Sequence, residues 1–201
     1  MPPDFHKQSY WRNRFTTETA FEWLMPSDEF MSVLRPQLDA LDASSARILH
    51  VGSGTSDLHI RLRRRGFVDV TNLDYEPLAA QRGRQLEELA FGDARTRYVV
   101  ADVTQLAHAP DLGHDVFDLI IDKSAADAVS CGGEAPLLHM VCGIRDRLAP
   151  DGVWISLSYS TTRFDVPSLP FDIDIMAKHP APKLRATDAD LFYWCYRMRR
   201  K

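Results

Sequence analysis

Between Arg47 and Tyr159 the chain repeats one pattern: a short run of largely apolar residues, a polar or glycine-rich break, then a segment with helical periodicity. A strand that is apolar on both faces needs cover on both faces, and crossover helices between parallel strands supply it. The strand candidates are Arg47-Ile48-Leu49-His50-Val51, Val68-Asp69-Val70-Thr71-Asn72-Leu73, Arg97-Tyr98-Val99-Val100-Ala101, Phe117-Asp118-Leu119-Ile120-Ile121 and Val153 to Tyr159, the last entered through a Pro150-Asp151-Gly152 turn. A helix is expected after Ser27 as N-cap, with Asp28 and Glu29 in its first turn and Phe30, Val33, Leu34, Leu38 and Leu41 on one face. Further helices are expected through Leu58, Ile60 and Leu62 to near Gly66, over 77–90 with proline at the start, and over 135–148. Phe171 to Met176 and Leu191 to Met198 have no helical segment between them and read as an antiparallel pair closing the sheet edge. The expected fold is a single α/β domain with a mostly parallel seven-stranded sheet and a C-terminal antiparallel hairpin.

No repeat, low-complexity tract or Gly/Ser linker divides the 201 residues, so residues 1–26 read as an N-terminal extension and residues 27–201 as one domain. A formal charge of −4 gives no bulk attraction to nucleic acid or anionic lipid, and the basic runs 61–65 and 197–201 read as solvated faces. No apolar run reaches the roughly 20 residues of a membrane helix, and Met1 to Lys7 lack a signal core, so a cytoplasmic protein is expected. Cys131, Cys142 and Cys195 are odd in number and form no Cys-x-x-Cys pair, which encodes neither a disulfide framework nor a zinc site. His50 reads as a hydrogen-bonded core residue, and His108 and His114 lack ligand spacing, so no metal is expected.

In an open parallel sheet, ligands bind beyond the carboxyl ends of the strands near the switch in strand order. Gly52, Ser53 and Gly54, followed by Thr55 and Ser56, end the first strand and let a ligand approach bare backbone. A Gly-x-Gly turn also occurs in structural loops, and Asp57 stands where the dinucleotide fingerprint has its third glycine. Asp74 closes the second strand, where a carboxylate can accept both hydroxyls of a ribose. Asp102 closes the third, where it can accept from an adenine amine with Val103 against the ring. Each aspartate could equally be a cap or turn residue. Their order along the chain points to a nucleoside-bearing cofactor, S-adenosylmethionine or NAD.

The segments Ile48-Leu49-His50-Val51-Gly52-Ser53-Gly54-Thr55-Ser56, Leu73-Asp74, Ala101-Asp102-Val103 and Asp122-Lys123-Ser124-Ala125-Ala126-Asp127-Ala128 together resemble class I S-adenosylmethionine-dependent methyltransferases. Tyr10-Trp11-Arg12-Asn13-Arg14-Phe15 and Phe21-Glu22-Trp23-Leu24 are similar to the branch containing lysine methyltransferases of translation elongation factor 1-alpha. That branch usually reads Gly-Cys-Gly-Asn-Ser at 52–56 and Asp-Lys-Gly-Thr-Leu-Asp-Ala at 122–128, so Ser124, Ala125 and Ala126 depart from it beside the transferred methyl.

The resemblance implies a Rossmann-like methyltransferase domain with S-adenosylmethionine as cofactor, bound by Tyr10, Trp11, Arg14, Gly52, Ser53, Gly54, Asp74, Tyr75, Asp102, Val103 and Asp122. Tyr10, Trp11, Arg14 and Trp23 form a lid in this reading, with Arg14 meeting the cofactor carboxylate. Asp122 and Asp127 are the catalytic candidates, holding an acceptor ammonium and passing its proton to water. Trp23, Lys123, Tyr159 and Arg163 are acceptor-binding candidates. Lys123 either pairs with Asp122 or an N-terminal acid, or is a solvated charge. The implied acceptor is a protein lysine, with a small-molecule N, O or S nucleophile as the alternative. An NAD-dependent oxidoreductase and a noncatalytic binding module of the same fold are the competing classes; no nucleic-acid or membrane partner is expected.

Overall fold

A computed structural model describes residues 4–113, 115–183, 185 and 187–201; His114 and the first three residues, which entered the metal and targeting readings, lie outside them. The elements run α1 Gln8–Phe15, α2 Ser27–Asp39, β1 Arg47–Val51, α3 Leu58–Arg64, β2 Asp69–Asp74, α4 Pro77–Phe91, β3 Arg97–Val100, a 3-10 turn Val103–His108, β4 Phe117–Lys123, α5 Ala125–Ser130, α6 Glu134–Arg147, β5 Leu148–Ser158, β6 Phe171–Pro180 and β7 Phe192–Arg200. The seven strands order as β3-β2-β1-β4-β5-β7-β6. The first five are parallel, while β7 pairs antiparallel with both β5 and β6. The expected α/β sheet with its C-terminal hairpin is therefore the observed one.

Alternation along each strand divides the core into two layers. Ile48, Val70, Leu119, Ile121, Val153 and Ile155 face α2 and α3, against Phe30, Leu34, Leu58 and Leu62. Leu49, Val51, Leu73, Ile120 and Trp154 face the other way, against Leu137, Met140 and Ile144 of α6. Both layers are fully buried, and each such side chain contributes about 1.5–3 kcal/mol relative to exposure. Successive strands run outward from β1 in both directions, so the strand order reverses between β1 and β4, and a crevice opens above their carboxyl ends.

Three local expectations are corrected. Pro26, not Ser27, is the N-cap of α2; Ser27 is its first residue, buried with its hydroxyl 3.4 Å from that of Ser56. Pro150, Asp151 and Gly152 lie within β5, where pairing slips between Phe117↔Leu148 and Leu119↔Val153; the segment is a bulge. A Cβ at Gly152 would stand 2.9 Å from the Phe117 carbonyl oxygen, which is why the bulge carries glycine. Finally, β4 continues past Ile121 through Asp122 and Lys123, because neighbouring residues supply partners for both charged side chains.

Candidate active site

A cavity of about 300 Å³ occupies this crevice, floored by residues 52–56, Asp74, Tyr75, Asp102, Val103, Lys123 and Ser124 and roofed by Phe5, Trp11, Phe15, Phe21 and Trp23. Its floor depends on glycine backbone. Gly52 and Gly54 have φ of +59° and +50°, and a Cβ on Gly52 would lie 2.6 Å from the Cβ of Ala125 at the start of α5. The loop is pinned to β2: the Ser53 N–H donates to the Leu73 carbonyl at 3.1 Å and the Gly54 N–H to Asp74 Oδ2 at 2.9 Å.

Asp74 accepts the Glu76 N–H through its other oxygen at 2.9 Å. One donor per oxygen leaves lone pairs for two further hydroxyls, so the geometry fits a ribose diol at the cavity wall. Burial raises its carboxyl to about 6, against the backbone donors that favour the charged form. Asp102 both caps and lines: its Oδ1 accepts the Thr104 N–H at 2.8 Å and hydroxyl at 2.7 Å, fixing the 3-10 turn that carries Val103 into the cavity. Tyr75 is half-buried between them, its phenol pushed up by burial and by the charges of Asp74 and Asp102. The indole Nε1 of Trp23 is buried at the cavity roof with no hydrogen-bond partner among the described residues, a free donor for a bound group.

Several side chains sit differently from the expectation. Tyr10 and Arg14 do not line the cavity. The Arg14 guanidinium donates to Glu18 at 2.6 Å and to the Tyr10 hydroxyl at 3.0 Å, and lies 4.7 Å from the Trp23 ring centroid, so it braces the roof from outside. Asp122 shares a strand face with Ile120 and points into the core, accepting the Ala126 N–H at 3.1 Å and the Trp154 indole N–H at 2.9 Å. Burial pushes its carboxyl to about 6. Asp127 is also turned from the cavity, accepting from Ser158 Oγ, from the Tyr159 N–H at 3.1 Å and from Arg163 Nε at 2.8 Å. Both carboxylates are buried, anchor the surroundings of α5 and do not line the cavity, so neither faces an acceptor. Arg163 is consumed by Asp127, and Tyr159, 56% exposed, stands outside the cavity.

Lys123 lines the cavity and is not a solvated charge. Its side chain is 3% exposed, its ammonium contacts Glu22, and it donates to the Met25 carbonyl at 3.1 Å. Burial pushes it down to about 7, opposed by the adjoining Glu22 carboxylate. Glu18, Glu22, Phe5 and Phe15 had no assigned role in the sequence reading; the aromatic-acidic-Trp motif was the signal for Glu22. His50 is buried, lowered to about 3 by that burial and hence neutral. Among the described residues no three His, Cys, Asp or Glu side chains are grouped to hold a metal ion, and no helix is long and apolar enough to cross a membrane. The runs at 61–65 and 197–201 are largely ion-paired, with Arg61 to Asp28 and Asp57, Arg63 to Glu87 and Arg197 to Asp174.

No protein-family model matches the chain. It is 55% identical over 199 residues to methyltransferase srdJ of Neurospora crassa, covering 99% of this chain and 85% of that protein. It is 31% identical over 157 residues to the human mitochondrial citrate synthase-lysine N-methyltransferase CSKMT and 28% identical over 175 residues to EEF1A lysine methyltransferase 4 of Bos taurus. These alignments cover 72% and 80% of this chain, which spans only 65% and 64% of those proteins. Among solved structures, the N-methyltransferase NodS of Bradyrhizobium japonicum in complex with S-adenosyl-L-homocysteine superposes with a TM-score of 0.63 at 15% identity, covering 93% of this chain and 97% of that one. A cavity floored by glycine backbone, Asp74 and Asp102 on a seven-stranded sheet of this order, together with a relative at 55% identity, leaves one conclusion: the chain belongs to the S-adenosylmethionine-dependent methyltransferases.

Proposed function

We propose that the chain transfers the methyl group of S-adenosylmethionine to a lysine amine of a protein. The cofactor supplies an activated carbon on a sulfonium, so the chain need only bind, align and exclude water. Asp74 takes the ribose hydroxyls, the Gly52 to Gly54 backbone carries the methionine portion, Asp102 and Val103 take the adenine, and the free Trp23 N–H is a further donor. The observation that carries the acceptor reading is the apolar end of the cavity: Ala125, Ala128 and Val129 of α5 line it under the roof rings of Phe5 and Trp23, while Asp122 and Asp127 are turned into the core. An aromatic and aliphatic wall accepts the stem of a lysine and favours its neutral amine by desolvation. Neutralising a lysine of pKa about 10.4 at pH 7 costs roughly 4–5 kcal/mol, and an apolar site moves part of that cost from the chemical step to binding, where contacts with the rest of the substrate offset it. The lysine methyltransferases among the relatives support the same acceptor.

The roofed shape of the cavity favours one other reading, a small apolar nucleophile taken up beneath the aromatic rings. Tritiated cofactor in matched lysate, fractionated into protein, RNA and low-mass material, separates the two. Protein label that hydrolyses to methyl-lysine, with activity rising with pH as the neutral amine fraction grows, is expected. Label confined to low-mass material transfers the proposal to the small-molecule acceptor.

A further inference from the structure

The roof, residues 4–26, meets the rest of the chain through buried Phe15, through Met25, which belongs to the core layer of α2 and α3 with Leu24 packed against it, and through several polar ties. Gln8 Nε2 donates to the Tyr75 carbonyl at 2.6 Å, Arg12 reaches Glu76 at 3.4 Å, and the Thr55 hydroxyl reaches Glu18 at 3.3 Å. Glu22 collects more than any of these. Its carboxylate accepts the Ser56 hydroxyl at 2.9 Å, the Asp57 N–H at 2.8 Å and the ammonium of Lys123, and so joins the roof to the glycine loop and to the end of β4 at once.

Lys123 then closes a bracket around Trp23. Its ammonium holds the side chain of Glu22 on one side and the carbonyl of Met25 on the other. Within the bracket the backbone is strained: Leu24 has φ of +66°, a left-handed conformation that a leucine adopts only when its surroundings impose it, and the Met25 N–H turns back to the Trp23 carbonyl at 2.8 Å. The bracket thus fixes the backbone that carries Trp23, while Phe5, Trp11, Phe21 and Arg14 pack its indole. The Lys123 side chain is 3% exposed, so its ammonium relies on Glu22 and the Met25 carbonyl in place of water.

We propose that Glu22 positions the roof over the cofactor cavity, holding Trp23 near the end of β4 through Lys123, and that parting of Glu22 from Lys123 sets the rate at which the cavity releases its nucleoside product. This holds for any acceptor, because it concerns only the cofactor and its demethylated product.

The test is release of S-adenosylhomocysteine from the full chain, followed by stopped-flow tryptophan fluorescence during a chase with unlabelled cofactor. Glu22→Gln keeps the acceptor oxygen for Ser56 and Asp57 and removes the charge; Lys123→Met removes the other partner. Each is expected to speed release roughly tenfold or more, and the double variant no further than the faster single. Arg145→Ala, at an exposed pair with Asp146, is expected to leave the rate alone. In the unaltered protein, amide exchange of residues 8–26 is expected to slow when S-adenosylhomocysteine is bound. A release rate unchanged in folded Glu22→Gln, singles whose effects multiply in the double, or no slowing of exchange over 8–26 each overturn the proposal. Should Lys123→Met not fold, Glu22→Gln and the exchange experiment decide it.

Discussion

Replacing Gly52 by alanine tests the claim that the cavity floor exists only because this position lacks a side chain. Two costs are legible. Holding an L-residue at φ +59° costs about 1–2 kcal/mol. Forcing apart two Cβ atoms that would otherwise stand 2.6 Å from each other, against a helix whose next residue Ala126 is fully buried, costs about 1–3 kcal/mol. The stiffer unfolded chain returns about 0.4–1 kcal/mol. The net expectation is a loss of about 1–5 kcal/mol in urea unfolding. For a chain of this size each kcal/mol is worth about 2–4 °C of thermal midpoint. The costs separate in a double variant: Ala125→Gly removes the clash and leaves the dihedral strain, so it should recover part of the loss in the Gly52→Ala background and none in the parent. Gly52→Ala within about 0.5 kcal/mol of the parent, the usual range for neutral surface changes, refutes the close-approach argument. Full stability loss with no recovery on adding Ala125→Gly confines the cause to the backbone.

Two further outcomes follow from the buried carboxylates. Asp74→Ala should weaken S-adenosylhomocysteine binding by about 1.5–3 kcal/mol in calorimetry, as expected for losing hydrogen bonds to a charged group; unchanged affinity in a folded variant removes the ribose assignment. Asp122, raised from 3.8 to about 6 by burial, holds more protons folded than unfolded between those values, so its contribution to stability declines as pH rises from about 4 to 6. Asp122→Asn should flatten the pH slope of stability in that window by up to roughly 3 kcal/mol, with Asp74 supplying the same background in both proteins. An identical slope in the two proteins contradicts this.

The parallel sheet was legible because its strands are apolar on both faces, a property of local sequence. Strand ends were less so: a hydrophobic run stops at Ile121, whereas β4 stops at Lys123, since partners distant in sequence keep two charged residues inside the ladder. The glycines and aspartates of the cavity floor were legible for a similar reason, as strand termini fix their place. The roles given to Asp122 and Asp127 failed on direction. Both faces of β4 are core-facing, so alternation along the strand does not tell Asp122, which meets Trp154, from Lys123, which meets the cavity. Arg14 was open to a local argument of another kind: Tyr10 and Glu18 stand four residues before and after it, so helical spacing brings both to its guanidinium.

The roof also has a history during synthesis. Glu22 and Lys123 are 101 residues apart, so at about 5–20 residues per second the ribosome makes the acid roughly 5–20 s before the base that secures it. In that interval the rings of Phe5, Tyr10, Trp11, Phe15, Phe21 and Trp23 have one another: their centroids lie 5.1–6.0 Å apart in a chain of contacts confined to the first two dozen residues. Such a local cluster forms at little loop-closure cost and shields its own apolar surface while the sheet is incomplete. The segment that covers the cavity therefore carries its aromatic contacts within itself, whereas its tie through Glu22 has to wait for the synthesis of Lys123 at the end of β4.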